Sequence, residues 1–210
     1  MRDVLPVLLE RWSNGETVGM TTVVATFGSA PRRPGAAMLR LADDTVVGSV
    51  SGGCVEGAVY ELAGDVMGSG VATTERYGIA DDDAFAVGLT CGGTLDVFVE
   101  PVSAQTWPHL DEFAEAVAQR RPVAVATVTA STDPATAVGG HLVVGPDRVR
   151  GGLGDTRLDR VVAQDVRGLL DLGESSTLRY GAGARRMGED ITVFVNSFAP
   201  PPRLIVFGAV

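Results

Sequence analysis

Two glycine-rich segments, each containing one of the chain's two cysteines, most constrain how this sequence can fold. Residues 48–57, GSVSGGCVEG, join an apolar strand pattern to a helical pattern and contain Cys54. Residues 88–93, GLTCGG, contain Cys91. A glycine pair beside a thiol lets the backbone bend sharply and lets a ligand approach closely. We therefore predict that the two segments meet at one site.

Short strand patterns alternate with amphipathic helical patterns along the chain. Residues 18–27 are rich in β-branched side chains, and residues 94–102 alternate apolar with polar side chains, as strands do. The pattern predicts an α/β fold, with a mixed β-sheet and flanking helices, and it indicates no internal repeat. Helices are predicted at 3–13, 54–67, 109–121 and 156–172, and strands at 18–27, 36–42, 45–50, 73–79, 94–102, 123–129, 141–144, 148–150, 176–180 and 190–198.

The last residues have the pattern that begins another kind of domain. Residues 199–202, Ala-Pro-Pro-Pro, predict a stiff linker, and residues 203–210 form an apolar strand pattern that ends in Gly-Ala-Val. A dinucleotide-binding domain of the Rossmann type often begins in this way. We expect 203–210 to be its first strand in a longer protein. Residues 1–198 are expected to form a cysteine-bearing domain with two candidate subregions, 1–103 and 104–198.

Composition argues against several classes of protein. The net charge of −9 and the pI of about 4.7 disfavour nucleic-acid binding. No apolar run approaches the roughly 18 residues of a transmembrane helix, and the N-terminus lacks the order of a secretion signal. We therefore expect a cytoplasmic protein whose two thiols are reduced. The acidic surface and the apolar terminal strand favour a homodimer.

Cys54 is the leading candidate for chemistry. A thiol in the first turn of a helix lies at the positive end of the helix dipole, which lowers its pKa. Gly52 and Gly53 open the approach from solvent. Such a thiol can be a soft ligand for a transition metal, a sulfur carrier or a nucleophile. The alternative is a buried cysteine that packs as a small hydrophobe.

Cys91 lies in a loop before a predicted strand, followed by Gly92 and Gly93. The glycines suggest a ligand contact, and packing is the alternative. Cys91 could join Cys54 as a second ligand for one soft metal, or act as a resolving thiol.

Polar residues near the cysteines could also contact a ligand. Glu56 is either a first-turn acid that stabilises the helix start or a hydrogen-bond partner for a heterocycle. Arg32 can present its planar fork to a phosphate, whereas Arg33 fits a solvated loop charge. His109 is expected to open a helix and His141 to begin a strand, in spacings unlike those of zinc ligands. Three serine hydroxyls could donate to a phosphate or satisfy turns: Ser29, Ser49 and Ser51.

Three segments together resemble one protein family. Residues 28–38, 47–56 and 89–93 are similar, in order and spacing, to the xanthine dehydrogenase accessory proteins of the XdhC/CoxI and CoxF type. That family also includes the factors that mature carbon monoxide dehydrogenase. The resemblance extends to the Pro-Pro-Arg-Leu-Ile-Val-Phe-Gly-Ala stretch at 201–209. It therefore covers nearly the whole chain.

The resemblance implies a maturation factor that is not itself an enzyme. Such a factor binds molybdenum cofactor (molybdopterin), protects it while its terminal sulfur is installed, and delivers it to a molybdenum hydroxylase apoenzyme of the xanthine dehydrogenase or carbon monoxide dehydrogenase type. A cysteine desulfurase is the implied second partner. In the family a Rossmann domain follows the cysteine-bearing domain, which implies NAD(P) binding beyond the end of this chain.

We hypothesise how the candidate residues would meet this cofactor. Cys54 and Cys91 suit the molybdenum or its sulfur, Arg32 suits the phosphate, and Glu56 suits the N–H edge of the pterin. A thiol-dependent sulfurtransferase, an accessory component of an NAD(P)-dependent oxidoreductase and a purely structural partner protein are the alternatives. The remaining members of the cofactor-binding set are Ser51, Gly52, Gly53, Gly92 and Gly93.

Overall fold

The computed structural model describes residues 1–30, 32–78, 93–200 and 208. The predicted helices and strands in these ranges are present, with ends that differ by a few residues. The expected strand at 203–210 lies outside the described residues apart from Gly208. The helices are α1 (Leu5–Ser13), α2 (Glu56–Ser69), α3 (Leu110–Ala118) and α4 (Thr156–Leu172), and the strands are β1 (Val18–Phe27), β2 (Ala37–Arg40), β3 (Val46–Gly48), β4 (Thr73–Tyr77), β5 (Thr94–Val102), β6 (Ala124–Ser131), β7 (His141–Val144), β8 (Val149–Gly152), β9 (Ser176–Tyr180) and β10 (Ile191–Ser197).

The α/β class with flanking helices is confirmed, but the strands form two sheets instead of one. The first has the order β3-β2-β1-β5-β4 and the second the order β8-β7-β6-β10-β9. Every pairing in both sheets is antiparallel, where a mixed sheet was expected. The connections β1–β2–β3 and β6–β7–β8 are short, and short connections join antiparallel neighbours. No helix among the described residues is long and apolar enough to span a membrane.

The two sheets have the same strand order because the chain contains the same unit twice. Each unit follows the order helix, three strands, helix, two strands. The first unit comprises α1 to β5, and the second comprises α3 to β10. Residues 50–78 align without gaps with residues 153–181, and both central helices end at a left-handed glycine, Gly70 (φ 73°) and Gly173 (φ 70°). The expectation that the chain has no internal repeat is therefore wrong.

Backbone details repeat as well. In the first unit the Val23 N–H donates to the Ala36 carbonyl at 2.9 Å, and the second unit makes the same bond from Val128 to Gly140 at 3.0 Å. In both units the residue that follows this valine bulges out of the strand pairing. Such agreement in hydrogen bonds and bulges shows that the two units share the same backbone structure in detail.

Reciprocal contacts join the two units. The Thr74 hydroxyl of the first unit donates to the Thr129 carbonyl at 2.9 Å, and the equivalent Thr177 hydroxyl donates to the Val24 carbonyl at 3.1 Å. Both acceptors are the bulged residues, whose carbonyls lie outside the regular strand pairing. Reciprocity of this kind is the property of an interface between copies related by a two-fold axis.

The core has one compartment in each unit and one shared between them. In the first unit α2 packs on its sheet over a cluster that includes Val23, Val59 and Val97. In the second unit α4 covers a matching cluster that includes Val162 and Val193. A third cluster contains side chains of α1, α3 and both sheets, so burial of apolar surface holds the two units together.

A histidine and a carboxylate are buried in contact with each other where the units meet. His141 Nε2 lies 3.0 Å from Glu100 Oε2, and both side chains are 4% exposed. The contact joins β7 of the second unit to β5 of the first. The Trp107 ring stacks on the imidazole, with 4.2 Å between ring centroids and 2° between ring planes. As expected, His141 begins a strand, and His109 immediately precedes α3.

We expect Gly48→Ala to lower the free energy of unfolding by about 1–3 kcal/mol. Gly48 has a φ of 88°, and a Cβ there would overlap the Ala37 carbonyl oxygen. Its counterpart Gly151 has a φ of 84° and would overlap the His141 carbonyl oxygen in the same way. Gly57→Ala is the control, because Gly57 lies in α2 with open space around it and should gain up to about 1 kcal/mol. Urea unfolding would contradict the expectation if both variants changed stability alike.

Candidate functional site

Three connections of the first unit leave its sheet at the same end. Antiparallel pairing places Phe27 of β1 opposite Thr94 of β5, and Tyr77 of β4 opposite Leu95. It also places Met38, near the start of β2, opposite the last residue of β3. The 28–36 loop, the turn after β3 that contains Cys54, and both ends of the segment from 78 to 93 therefore lie at one end of the sheet. Because Cys91 lies outside the described residues, the meeting of the two cysteine segments stays a prediction.

Cys91 and Gly92 lie outside the described residues, whereas Gly93 is buried against the first loop. A Cβ on Gly93 would overlap the Ser29 carbonyl oxygen and would lie 3.1 Å from the Phe27 carbonyl oxygen. Glycine is therefore required there, because no larger residue fits between the two backbones. The base of the Cys91 segment is fixed against the 28–36 loop.

Cys54 does not lie in the first turn of a helix, as was predicted. The helix begins at Glu56, and Val55 is its N-cap with a φ of −121°. Cys54 instead belongs to the turn before the cap, where its N–H donates to the Ser51 hydroxyl at 3.0 Å. The side chain is half-buried and packs against the first unit's core together with Tyr77.

The Glu56 carboxylate holds this turn together. Oε1 accepts hydrogen bonds from the Ser49 hydroxyl at 2.7 Å and from the N–H groups of Val50, Ser51 and Gly52. Oε2 accepts from the Ser51 hydroxyl and from the Gly53 N–H. The side chain that was expected to face either the helix start or a heterocycle is thus surrounded by donors from its own turn.

Electrostatics of the turn follow from these donors. Burial raises the pKa of the Glu56 carboxyl, but the hydrogen bonds from Ser51 and Ser49 and from backbone N–H groups outweigh burial and bring the pKa to about 2. The carboxylate is therefore ionised throughout the neutral range. The equivalent acid of the second unit, Asp159, accepts a 2.7 Å hydrogen bond from Leu153 N–H, while burial raises its pKa. Both units thus have a carboxylate that accepts a hydrogen bond from the preceding turn, and the first unit surrounds its carboxylate with more donors.

Gly52 and Gly53 give the turn its shape and leave it open. Their φ angles are 79° and 117°, which side chains rarely adopt. Both residues are exposed, and a Cβ added to either would have no atom within 4 Å. Successive residues in such conformations direct their N–H groups to one point, here the Glu56 carboxylate. The same residues leave free space beside Cys54. A ligand can therefore approach the turn from solvent.

The two serines of the turn, Ser49 and Ser51, make their hydrogen bonds within the turn. Ser51 is buried, and its hydroxyl accepts from the N–H groups of Cys54 and Val55 at 3.0 Å each. The Ser49 hydroxyl accepts from the Gly52 N–H at 2.9 Å. Ser29, in contrast, is exposed on the neighbouring loop. Of the three serines, it is the one with most access to a ligand.

Arg32 and Arg33 are both exposed on the 28–36 loop and form no ion pair with the described residues. The loop is anchored at Gly35, whose carbonyl accepts a 2.8 Å hydrogen bond from the Met1 amino group. Burial lowers the pKa of that amino group, and the nearby charge of Arg32 lowers it further. Arg32 thus adds positive charge at the open end of the sheet. Among the described residues no cluster of three His, Cys, Asp or Glu side chains could hold a metal ion.

Comparison with known proteins places this fold in a family. The sequence model of the XdhC and CoxI family matches residues 11–78 and 116–181, more than half of the chain. These two segments end at Gly78 and Gly181, which are equivalent positions of the two units. The match therefore falls separately on each copy of the repeat.

Relatives with known names agree with this match. The chain is 25% identical over 209 residues to a probable xanthine dehydrogenase subunit from Bacillus subtilis, covering 98% of this chain and 56% of the relative. It is 35% identical over 123 residues to the molybdenum cofactor insertion chaperone PaoD of Escherichia coli, covering 58% of this chain and 37% of that protein. The chain thus spans about half or less of the length of these relatives.

A solved structure has the same fold. The crystal structure of a protein named as a xanthine dehydrogenase, from Bacillus halodurans, superposes with a TM-score of 0.66 at 22% identity. The superposition covers 93% of this chain and 52% of that one. At this level of identity the likeness concerns the fold. On the family match over both units, the chain belongs to the XdhC and CoxI family.

Proposed function

We propose that this protein binds molybdenum cofactor through the Cys54 turn and delivers it to a molybdenum hydroxylase. Membership of the XdhC and CoxI family supports the proposal, as does a relative named as a molybdenum cofactor insertion chaperone. The observation that carries it is the open turn at Cys54, where two exposed glycines leave space beside a half-buried thiol. Molybdenum in this cofactor is a soft centre, and thiolate is a soft ligand.

The surrounding residues have complementary tasks in this proposal. Arg32, exposed at the same end of the sheet, binds the phosphate of the cofactor with its planar fork. Cys91 and Gly92 of the neighbouring segment, together with Gly93, complete the binding set. Glu56 holds the turn and does not contact the pterin, because both of its oxygens already accept hydrogen bonds from the turn.

The wider assignment follows from the same proposal. The protein acts as a chaperone without a catalytic step of its own, and it protects the bound cofactor while a cysteine desulfurase installs the terminal sulfur. It acts in the cytoplasm as a homodimer, and the receiving apoenzyme is a hydroxylase of the xanthine dehydrogenase or carbon monoxide dehydrogenase type. A Rossmann domain that follows the proline linker, as the terminal strand pattern indicates, would bind NAD(P).

We expect Cys54→Ser to weaken binding of molybdenum cofactor at least about 10-fold, because an alcohol is a poor ligand for a soft metal. The measurement is the dissociation constant for cofactor released from a purified holoenzyme, followed by activation of a cofactor-free hydroxylase. Arg157→Ser is the matched control, since Arg157 occupies the equivalent position of the second unit. If Cys54→Ser and the wild type bound the cofactor with equal affinity, the Cys54 thiol would not be a ligand of the cofactor.

The phosphate assignment has its own pair of variants. Arg32→Ala should weaken cofactor binding about 10-fold or more, the effect of losing one charge-assisted hydrogen bond. Arg33→Ala, a neighbouring exposed arginine on the same loop, should have a much smaller effect. If the two variants bound the cofactor with the same affinity, the phosphate would be attracted by the positive charge of the loop in general and not bound by Arg32 itself.

A sulfurtransferase is the second candidate, favoured by the accessible position of the Cys54 turn. It predicts a persulfide on Cys54 or Cys91 after incubation with a cysteine desulfurase and cysteine. Intact mass would then increase by one sulfur atom per modified thiol. A persulfide that transfers its sulfur to the cofactor would favour this candidate, and an unmodified protein that still activates the hydroxylase would favour the chaperone.

A further inference from the structure

The internal repeat allows each residue of the first unit to be compared with its counterpart in the second. Tyr77 ends β4 and Tyr180 ends β9, and each is followed by a glycine. Tyr77 pairs with Leu95 of β5, and Tyr180 pairs with Ile191 of β10. Both rings pack against the core beneath the central helix of their own unit. The two tyrosines are therefore equivalent in position.

Their hydroxyl groups have different surroundings. The Tyr180 hydroxyl donates to Asp165 Oδ2 of α4 at 3.1 Å, and Tyr180 is 2% exposed. Arg186 forms an ion pair with the same carboxylate at 3.0 Å. In α2 the position equivalent to Asp165 is occupied by Leu62, which has no acceptor atom. Tyr77 is only half-buried, and its hydroxyl has no hydrogen-bond partner among the described residues.

The connections that follow the two tyrosines also differ between the units, in length and in sequence. In the second unit the connection from β9 to β10 is short and closed, with a bridge between Gly181 and Arg185 and a 2.8 Å hydrogen bond from Ala182 N–H to Asp190. In the first unit the corresponding segment from 78 to 93 is longer and contains Cys91. The Tyr180 hydroxyl thus has a partner within its own unit, and the described residues of the first unit give none to Tyr77.

Tyr77 and Cys54 pack against the same core cluster, which lies under α2. Leu62, the neighbour of Tyr77 by equivalence, is six residues along α2 from Glu56, a distance of about 9 Å at the rise of an α-helix. The hydroxyl is therefore suited to a part of the ligand that is remote from the sulfur.

We propose that the Tyr77 hydroxyl binds the pterin edge of the cofactor whose metal end lies at Cys54. The inference rests on the proposed function. A tyrosine hydroxyl can both donate and accept a hydrogen bond, which suits a heterocycle that presents alternating N–H and carbonyl groups. The pterin edge needs such a partner in this site, because the Glu56 carboxylate is occupied by its own turn. Tyr77 supplies the contact that Glu56 does not make.

Tyr77→Phe and Tyr180→Phe form a matched pair, since each removes one oxygen atom from an equivalent position. Tyr77→Phe should weaken binding of molybdenum cofactor, released from a purified holoenzyme, by about 5- to 10-fold, as expected for one lost hydrogen bond, and should leave the melting temperature unchanged. Tyr180→Phe should lower the melting temperature, because Asp165 loses a buried donor, and should leave cofactor affinity unchanged.

The outcomes separate this inference from the proposed function. If the wild type binds the cofactor and Tyr77→Phe binds it equally well, Tyr77 is not a ligand-binding residue and the proposed function stands. If Tyr77→Phe loses as much thermal stability as Tyr180→Phe, the hydroxyl has a structural role and the inference is overturned. If the wild type itself does not bind the cofactor, the proposed function is overturned and the inference with it.

Discussion

His141→Ala is expected to lower the free energy of unfolding by about 2–5 kcal/mol, because it removes a large buried side chain and leaves the Glu100 carboxylate buried without the imidazole beside it. Two losses combine at this position. The Glu100 carboxylate, whose side chain is 4% exposed, would lose the imidazole 3.0 Å away. The Trp107 ring would lose the surface on which it stacks. Urea unfolding at neutral pH measures the change, and the effect should extend to both units because the pair joins them.

A double-mutant cycle distinguishes the contact between Glu100 and His141 from general packing at this position. Replacing both Glu100 and His141 by leucine removes the two polar groups together, so the double variant should be more stable than the sum of the single variants predicts. Additive losses would mean that the two side chains do not interact. Val143→Ala, in the same strand as His141, is the control for loss of buried volume alone.

Glu56→Gln is expected to lower the free energy of unfolding by about 1–2 kcal/mol at pH 7, a value reduced for the partial exposure of the carboxylate. The folded-state pKa of about 2 lies below the ordinary 4.5, so the carboxylate stabilises the folded protein above about pH 4.5. That contribution is lost as the pH falls toward about 2. The difference in stability between the wild type and Glu56→Gln should therefore narrow over this range, as urea unfolding at several pH values would measure.

Asp159→Asn is the matched control in the second unit. Burial raises the pKa of the Asp159 carboxyl, so its ionised form is disfavoured in the folded protein. Asp159→Asn should consequently lower stability less than Glu56→Gln, and its loss relative to the wild type should shrink as the pH rises through the carboxyl titration, because ionisation of Asp159 destabilises the folded wild type. Equal losses in both variants would mean that the additional donors around Glu56 contribute nothing.

Much of the local structure could be predicted from the sequence, because hydrophobic periodicity and glycines act over a few residues. The 156–172 helix and the 94–102 strand have the ends that their patterns predict. The predicted position of Cys54 is wrong by less than one helical turn, yet this removes it from the helix. Helix starts depend on caps, and here the N-cap is Val55, which has no capping side chain.

The repeat is hidden in the sequence because its two copies share geometry and not residues. Between residues 50–78 and 153–181 only six positions are identical, among them Gly70, Thr74 and Tyr77. What the units have in common is the placement of left-handed glycines, strand bulges and buried apolar positions, which many residues can satisfy. The six donors around Glu56 are equally hidden, because a turn of this kind is defined by backbone conformation.

The reciprocal threonine contacts have a consequence for how the two units stay associated at low protein concentration. Two separate copies of this unit would have to find each other, and dilution would pull them apart. Here the linker between β5 and α3 joins the two units covalently. The effective concentration of one unit around the other therefore does not change on dilution. The unit that contains the Cys54 turn is thus supported by a second unit of the same chain, which dilution cannot remove.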